Sequence, residues 1–138
     1  MPDIQQLNHA IIEFYDKLSS WEHSVVKGKN LTLAQTHTIE VIGAHGPMRM
    51  KELADKLGIT MGTLTVQVDK LVKAEVMVRR PHDSDRRSIL VDLTETGLML
   101  YREHDELHLN LSKEITSNLE DSELKTLLSC LQRMNQQF

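Results

Sequence analysis

Apolar residues recur at intervals of three and four along residues 3–26: Ile4, Leu7, Ile11, Phe14, Leu18, Trp21 and Val25. That spacing puts them on one stripe of a helix, in a heptad-like repeat close to a coiled-coil seam. Gly28 is expected to end the helix. Thr32 stands where an N-cap belongs for a second helix over 33–44, and Gly46-Pro47 stops it. Residues 50–57 read as a short third helix with Gly58 at its C-terminal cap. Thr60 then caps a fourth helix to about Ala74, with Leu64, Val68, Leu71 and Val72 on its inner face. Beyond it the period drops to two. Val76, Val78 and Arg80 alternate with Met77 and Arg79, and Ile89, Val91 and Leu93 with Leu90 and Asp92, which predicts two strands. The polar stretch 81–87 between them makes a β-hairpin. Thr94 caps a fifth helix to about Ser117. Asp121 or Ser122 caps a sixth, whose apolar face is Leu124, Leu127, Leu128, Leu131, Met134 and Phe138.

The order is helix, helix, helix-turn-helix, hairpin, helix, helix: a mainly α chain of 138 residues, read as a single domain over 1–138. Forty per cent of residues are hydrophobic but only 4% aromatic, so the core is built from Leu, Ile, Val and Met. The absence of a long apolar run argues against a membrane span. The start Met1-Pro2-Asp3-Ile4-Gln5 lacks the basic and apolar regions of a signal peptide. A lone cysteine, Cys130, excludes a disulfide framework, and a cytoplasmic location is expected. Cys130 reads as a small hydrophobe on the last helix; with Arg133 as its sole basic neighbour, oxidation sensing is the weaker reading.

The net charge of −4 argues against nucleic acid until its distribution is seen. Residues 49–87 carry nine Lys/Arg against six Asp/Glu, and the remainder seven against fourteen. A basic segment inside an acidic chain fits a surface that meets phosphate. In a helix-turn-helix the second helix enters the major groove with its N-terminal residues toward bases. Thr60, Thr63, Thr65 and Gln67 supply polar groups for base edges or phosphates, and Lys70 reaches phosphate. Arg79, Arg80, Arg86 and Arg87 crowd the hairpin and repel each other without an anion nearby. Arginine at a hairpin tip suits the negative potential of a narrow minor groove. Asp85 is expected to stiffen the tip by pairing with Arg87, and His82 to meet phosphate. The bland alternatives are a helical hairpin in a globular core and a solvated charged turn.

Glu52-Leu53-Ala54, Leu57-Gly58-Ile59-Thr60, Thr63, Thr65, Val68-Asp69-Lys70-Leu71, and then Asp85-Arg86-Arg87-Ser88-Ile89-Leu90-Val91-Asp92-Leu93-Thr94, resemble the MarR family of bacterial regulators. The resemblance extends over almost the whole chain, and the Asp-Arg-Arg wing is its most specific part. It implies a winged helix-turn-helix over 32–94. Residues 1–31 and 95–138 would supply N- and C-terminal dimerisation helices, and the homodimer would bind a near-palindromic double-stranded operator, most simply as a repressor. Val66 departs from the basic residue that many members carry there, and removes one expected contact.

Seven histidines remain: His9, His23, His37, His45, His82, His104 and His108. His104 and His108 sit at i,i+4, in register with Leu98, Tyr101, Leu111 and Ile115, where apolar residues are expected. Buried rings need partners for their nitrogens, and converging i,i+4 imidazoles suit one divalent metal. The other reading is a hydrogen-bonded core pair. His37 follows the register of Leu33, Val41 and Ala44 and is expected to point inward. Gln35-x-His37 and His104-x-x-x-His108 are also similar to the metal motifs of zinc-responsive repressors in the MarR family. That narrower resemblance implies one Zn²⁺ or other divalent transition metal per subunit, held by His37, His104, His108 and a residue near the end of the first helix. His23 is the favoured fourth ligand and Glu22 its alternative. The subgroup's second metal site lacks its cysteine here, although Glu103 remains.

Relief of repression by a small aromatic or phenolic molecule is the competing form of control. Catalysis is not expected. His104-Asp105-Glu106-Leu107-His108 differs from a zinc-protease helix because Glu106 is displaced by one position, about 100° around the helix.

Overall fold

The structure is a computed structural model that describes residues 3–27, 29–82, 84–85 and 87–138. Its elements are α1 (Ile4–Val26), α2 (Leu33–His45), β1 (Met48–Arg49), α3 (Met50–Leu57), α4 (Met61–Lys73), β2 (Met77–Pro81), β3 (Ile89–Leu93), α5 (Glu95–Ile115) and α6 (Asp121–Asn135). The chain divides into two compact units, the first ending at Tyr101 and the second running from Arg102 to Phe138. Among the described residues no helix is long and apolar enough to cross a membrane.

In the first unit, Asp3 caps α1 by accepting the Gln5 N–H at 2.9 Å. α2 opens on a capping box: Thr32 Oγ1 accepts the Gln35 N–H at 3.1 Å, and Gln35 Oε1 accepts the Thr32 N–H at 3.0 Å. Gln35 therefore has a local structural role. The core gathers Ile39 and Ile42 from α2, Leu53 from α3, and Leu64, Val68 and Leu71 from α4. Met48, Met77 and Val91 close it from the sheet. The first half of the α1 stripe lies outside that core: Ile4, Leu7, Ile11 and Phe14 are exposed in the single chain.

The α3–α4 turn depends on Gly58 in the left-handed region at φ 67°, where a side chain would be strained. Its N–H donates to Asp55 O at 3.3 Å, and the Ile59 N–H to Ala54 O at 3.1 Å, so the last carbonyls of α3 are satisfied. α4 ends with the same geometry on a less suitable residue. Glu75 has φ 61°, its N–H donates to Val72 O at 3.0 Å, and the Val76 N–H donates to Leu71 O at 2.9 Å. Left-handed backbone costs a non-glycine residue on the order of 1 kcal/mol. Glu75→Gly is expected to raise stability by about 0.5–1 kcal/mol, after allowing for glycine's greater freedom when unfolded. Thermal melting followed by circular dichroism checks this, and an unchanged or lower Tm contradicts it.

The three strands form one antiparallel sheet in the order β1–β3–β2, with Met77 opposite Leu93, Arg79 opposite Val91 and Pro81 opposite Ile89. β1 is a two-residue strand that the sequence reading did not anticipate. It pairs Met48 with Val91 and puts Met48 into the core. Thr94 joins the sheet to α5: its Oγ1 accepts the Gly97 N–H at 3.1 Å, and its own N–H donates to Val76 O at 3.0 Å. Gly43 on α2 leaves room for the Tyr101 ring, which a Cβ there would overlap.

The second unit holds the remainder of α5, a turn through 116–120, and α6. The α6 cap is Glu120, one position ahead of the expected Asp121 and two ahead of Ser122. Its N–H is bound by Glu123 Oε1 at 3.0 Å, a partner that neither expected cap residue has at the needed spacing. Leu127, Leu128, Leu131 and Met134 are exposed along α6. Cys130 is half-buried and 3.7 Å from Arg133 Nη2.

Candidate nucleic-acid interface and metal donors

Thr60 organises the start of α4. Its Oγ1 accepts the Thr63 N–H at 3.3 Å and donates to Thr63 Oγ1 at 3.1 Å. Thr63, Thr65 and Lys70 are exposed, with Thr65 Oγ1 donating back to Met61 O at 2.8 Å. Gln67 is half-buried and lies 3.1 Å from the Oγ1 of buried Thr38 on α2. Val66 is exposed, so its departure from the family's basic residue is a change of surface.

The hairpin arginines divide. Arg79 shares the face of its cross-strand partner Val91 and binds Asp69 of α4, while Arg80 Nε donates to Asp92 Oδ2 at 3.3 Å. Both pairs are partly solvated, and each is worth well under about 1 kcal/mol. Their first effect is to hold the guanidinium groups in place against the wing shaft. Arg87 is exposed. Arg86 lies outside the described residues.

The expected Asp85–Arg87 side-chain pair is replaced by a local turn. Asp85 Oδ1 accepts the Arg87 backbone N–H at 3.0 Å, and its Oδ2 accepts from Ser88 Oγ at 3.2 Å. A short carboxylate reaches the amide two residues on more readily than it reaches a long side chain. His82 Nδ1 accepts the Ser84 N–H at 3.1 Å, and the His82 N–H donates to Ser88 O at 2.8 Å.

The histidines also divide. In the second unit, His104 is buried and His108 half-buried; their Nε2 atoms are 3.1 Å apart and their rings meet edge to face. In the first unit, the carboxylates of Glu22 on α1 and Glu40 on α2 have oxygens within 4.8 Å of each other. Each pair supplies donor atoms of a kind that holds a metal ion. His23 belongs to neither pair: its ring is exposed, with Nδ1 2.8 Å from Ser19 O. His37 is exposed rather than inward, and lines a groove of about 500 Å³ between α1 and α2 with Tyr15, Leu18 and Leu33. α2 is apolar on most sides, so its register did not single out one inward face. Sequence reasoning missed Glu40. The available signal was that Glu40 is the sole Asp, Glu, Lys or Arg on α2.

A short helix, a glycine turn, a capped second helix and an arginine-bearing hairpin together define a winged helix-turn-helix protein. The MarR family signature matches residues 31–89. The multiple antibiotic resistance protein MarR of Escherichia coli is 30% identical over 106 residues, covering 76% of this chain and 74% of that protein. The organic hydroperoxide resistance transcriptional regulator of Bacillus subtilis is 29% identical over 111 residues, covering 77% and 76%. A MarR family protein from Bacillus stearothermophilus superposes with a TM-score of 0.87 at 17% identity, over 97% of this chain and 94% of that one. The chain belongs to the MarR family and is a DNA-binding transcriptional regulator of that type, not an enzyme.

Proposed function

We propose that the protein is a homodimeric repressor of a near-palindromic operator, and that a divalent transition metal, zinc foremost, controls its affinity. One ion per subunit is held through His104 and His108. The observation that carries this reading is the 3.1 Å separation of the His104 and His108 Nε2 atoms. Two nitrogens bound at about 2.0–2.1 Å to one tetrahedral zinc stand roughly 3.3 Å apart. A closed zinc site usually takes four ligands, and the acids Glu22 and Glu40 are further donors of a suitable kind.

Residues 32–94 act as the reading head, with residues 1–31 and 95–138 as the dimerisation helices. The exposed apolar residues of α1 and α6 supply the surface that a second copy covers. Thr60, Thr63, Thr65, Gln67 and Lys70 serve the major groove, and the arginines Arg79, Arg80, Arg86 and Arg87 serve the minor groove and its phosphates. An ion bound at His104 and His108 favours one spacing of the two α4 helices. By linkage, metal and DNA then change each other's affinity by the same factor. A second reading, relief by a small aromatic or phenolic molecule, is favoured by the groove of about 500 Å³ lined by Tyr15, Leu18 and Leu33.

The test selects an operator from random-sequence DNA and titrates it with zinc or with a chelator present. Zinc is expected to tighten binding; equal affinity under both conditions overturns metal control. In the same assay Arg87→Ala is expected to weaken binding and to lower the slope of log affinity against log salt by about one.

A further inference from the structure

The contact between Thr38 and Gln67 has a consequence for which bases α4 can read. Thr38 is fully buried on α2. Its Oγ1 lies 2.9 Å from Ala34 O and 3.1 Å from the atom placed as Gln67 Oε1. A hydroxyl has one proton to donate. Given to Gln67, that proton would leave the Thr38 and Ala34 oxygens facing each other at 2.9 Å with nothing between them, on a residue that is fully buried. Given to Ala34 O, it leaves Thr38 Oγ1 as an acceptor, and the group 3.1 Å away must be a donor. The two ends of a carboxamide have nearly the same shape, and its orientation is decided by the network around it. The orientation with the Gln67 NH₂ against Thr38 gives each contact its own proton.

The carbonyl oxygen of Gln67 is then the end turned from Thr38, on a half-buried residue that shares a face of α4 with exposed Thr63 and Lys70. An outward oxygen is an acceptor only. It gains nothing from phosphate, from guanine N7 and O6, or from thymine O4, all of which are acceptors themselves. The major-groove groups that donate are cytosine N4 and adenine N6. We propose that Gln67 is a specificity-determining residue that accepts from the exocyclic amino group of a cytosine or adenine, and that Thr38 is the positioning residue that turns the amide this way. The proposal rests on α4 being the base-reading helix.

The experiment is selection of bound sites from random-sequence duplex DNA by the full chain. The wild-type protein is expected to prefer C or A over G or T by roughly ten-fold at one position of each half-site, the worth of one hydrogen bond to a base edge. Gln67→Leu is expected to erase the preference at that position alone. Gln67→Glu keeps an acceptor there and is expected to keep the preference, with cytosine favoured. Thr38→Val lets the amide turn and is expected to broaden the position, while Thr38→Ser is expected to restore it. A merely structural role for Thr38 would weaken all sequences equally and leave the base profile unchanged. In the unbound protein, nuclear Overhauser contacts are expected between the Gln67 amide protons and the Thr38 methyl group. Their absence, an unchanged profile in Gln67→Leu, or a switch from G/T to C/A in Gln67→Glu overturns the assignment. If the wild-type protein selects no sequence, the reading of α4 falls and this inference with it. If it selects one that Gln67→Leu reads identically, this inference alone falls.

Discussion

Gly97→Ala is expected to destabilise the first unit by about 3 kcal/mol, at the upper end of what overpacking does. For a unit of about 100 residues that lowers Tm by on the order of 10–20 °C. A Cβ at Gly97 would run into the Val76 carbonyl oxygen and press on Leu93 Cβ at 3.2 Å. The obstacle is backbone and has little freedom to withdraw. Val76 O accepts from the Thr94 N–H at 3.0 Å, Thr94 Oγ1 donates to Glu75 O at 2.6 Å, and the Val76 N–H is bound to Leu71 O. Relief of the clash therefore breaks the joint between the end of α4, the sheet and α5. Gly62→Ala is the control, because nothing lies within 4 Å of the Cβ it adds. It is expected to be stabilising by about 0.5–1 kcal/mol through helix propensity alone. Both are read from thermal unfolding. A Gly97→Ala protein melting within about 2 °C of the parent would contradict the steric account.

The second large effect concerns metal. His108→Ala is expected to lower zinc affinity about a hundred-fold, since a four-ligand site worth about 10–16 kcal/mol averages about 3 kcal/mol per ligand. Glu40→Ala should fall in the same range. His23→Ala and His37→Ala should change affinity less than about ten-fold, because both rings are exposed and outside the donor set. Competition against a chromophoric chelator measures all four. The comparison tests the sequence reading, in which His37 and His23, or Glu22 in its place, complete the site, against the exposure of both histidine rings. Equal losses in His37→Ala and His108→Ala would restore the motif-based set.

The elements legible in the sequence were those whose pattern is local and repeated. The stripe of α1, the glycine at position 58 and the change of period at Val76 each reflect a backbone preference that nearby residues express. β1 was illegible because two residues after Gly46-Pro47 show no alternation, and their strand character comes from pairing with β3. The i,i+4 histidines were visible because they interrupt an apolar register. Glu40 was not, because an acid on a helix ordinarily reads as solvent-facing until Glu22 on another helix is seen beside it. Arg79 and Arg80 could be counted as positive charge, but Asp69 and Asp92 as their partners depend on how β2 lies against α4 and β3.

The turn around Asp85 bears on the energetics of DNA binding. Its carboxylate, with the His82 and Ser88 bonds, fixes the backbone carrying Arg87 while the protein is still free. Ordering a loop residue at the moment of association costs about 1–2 kcal/mol of conformational entropy. Here that loss is incurred during folding. The backbone at Arg87 is ordered before association, so in the proposed complex the attraction between this arginine and DNA is retained in the affinity instead of being consumed in arranging its backbone.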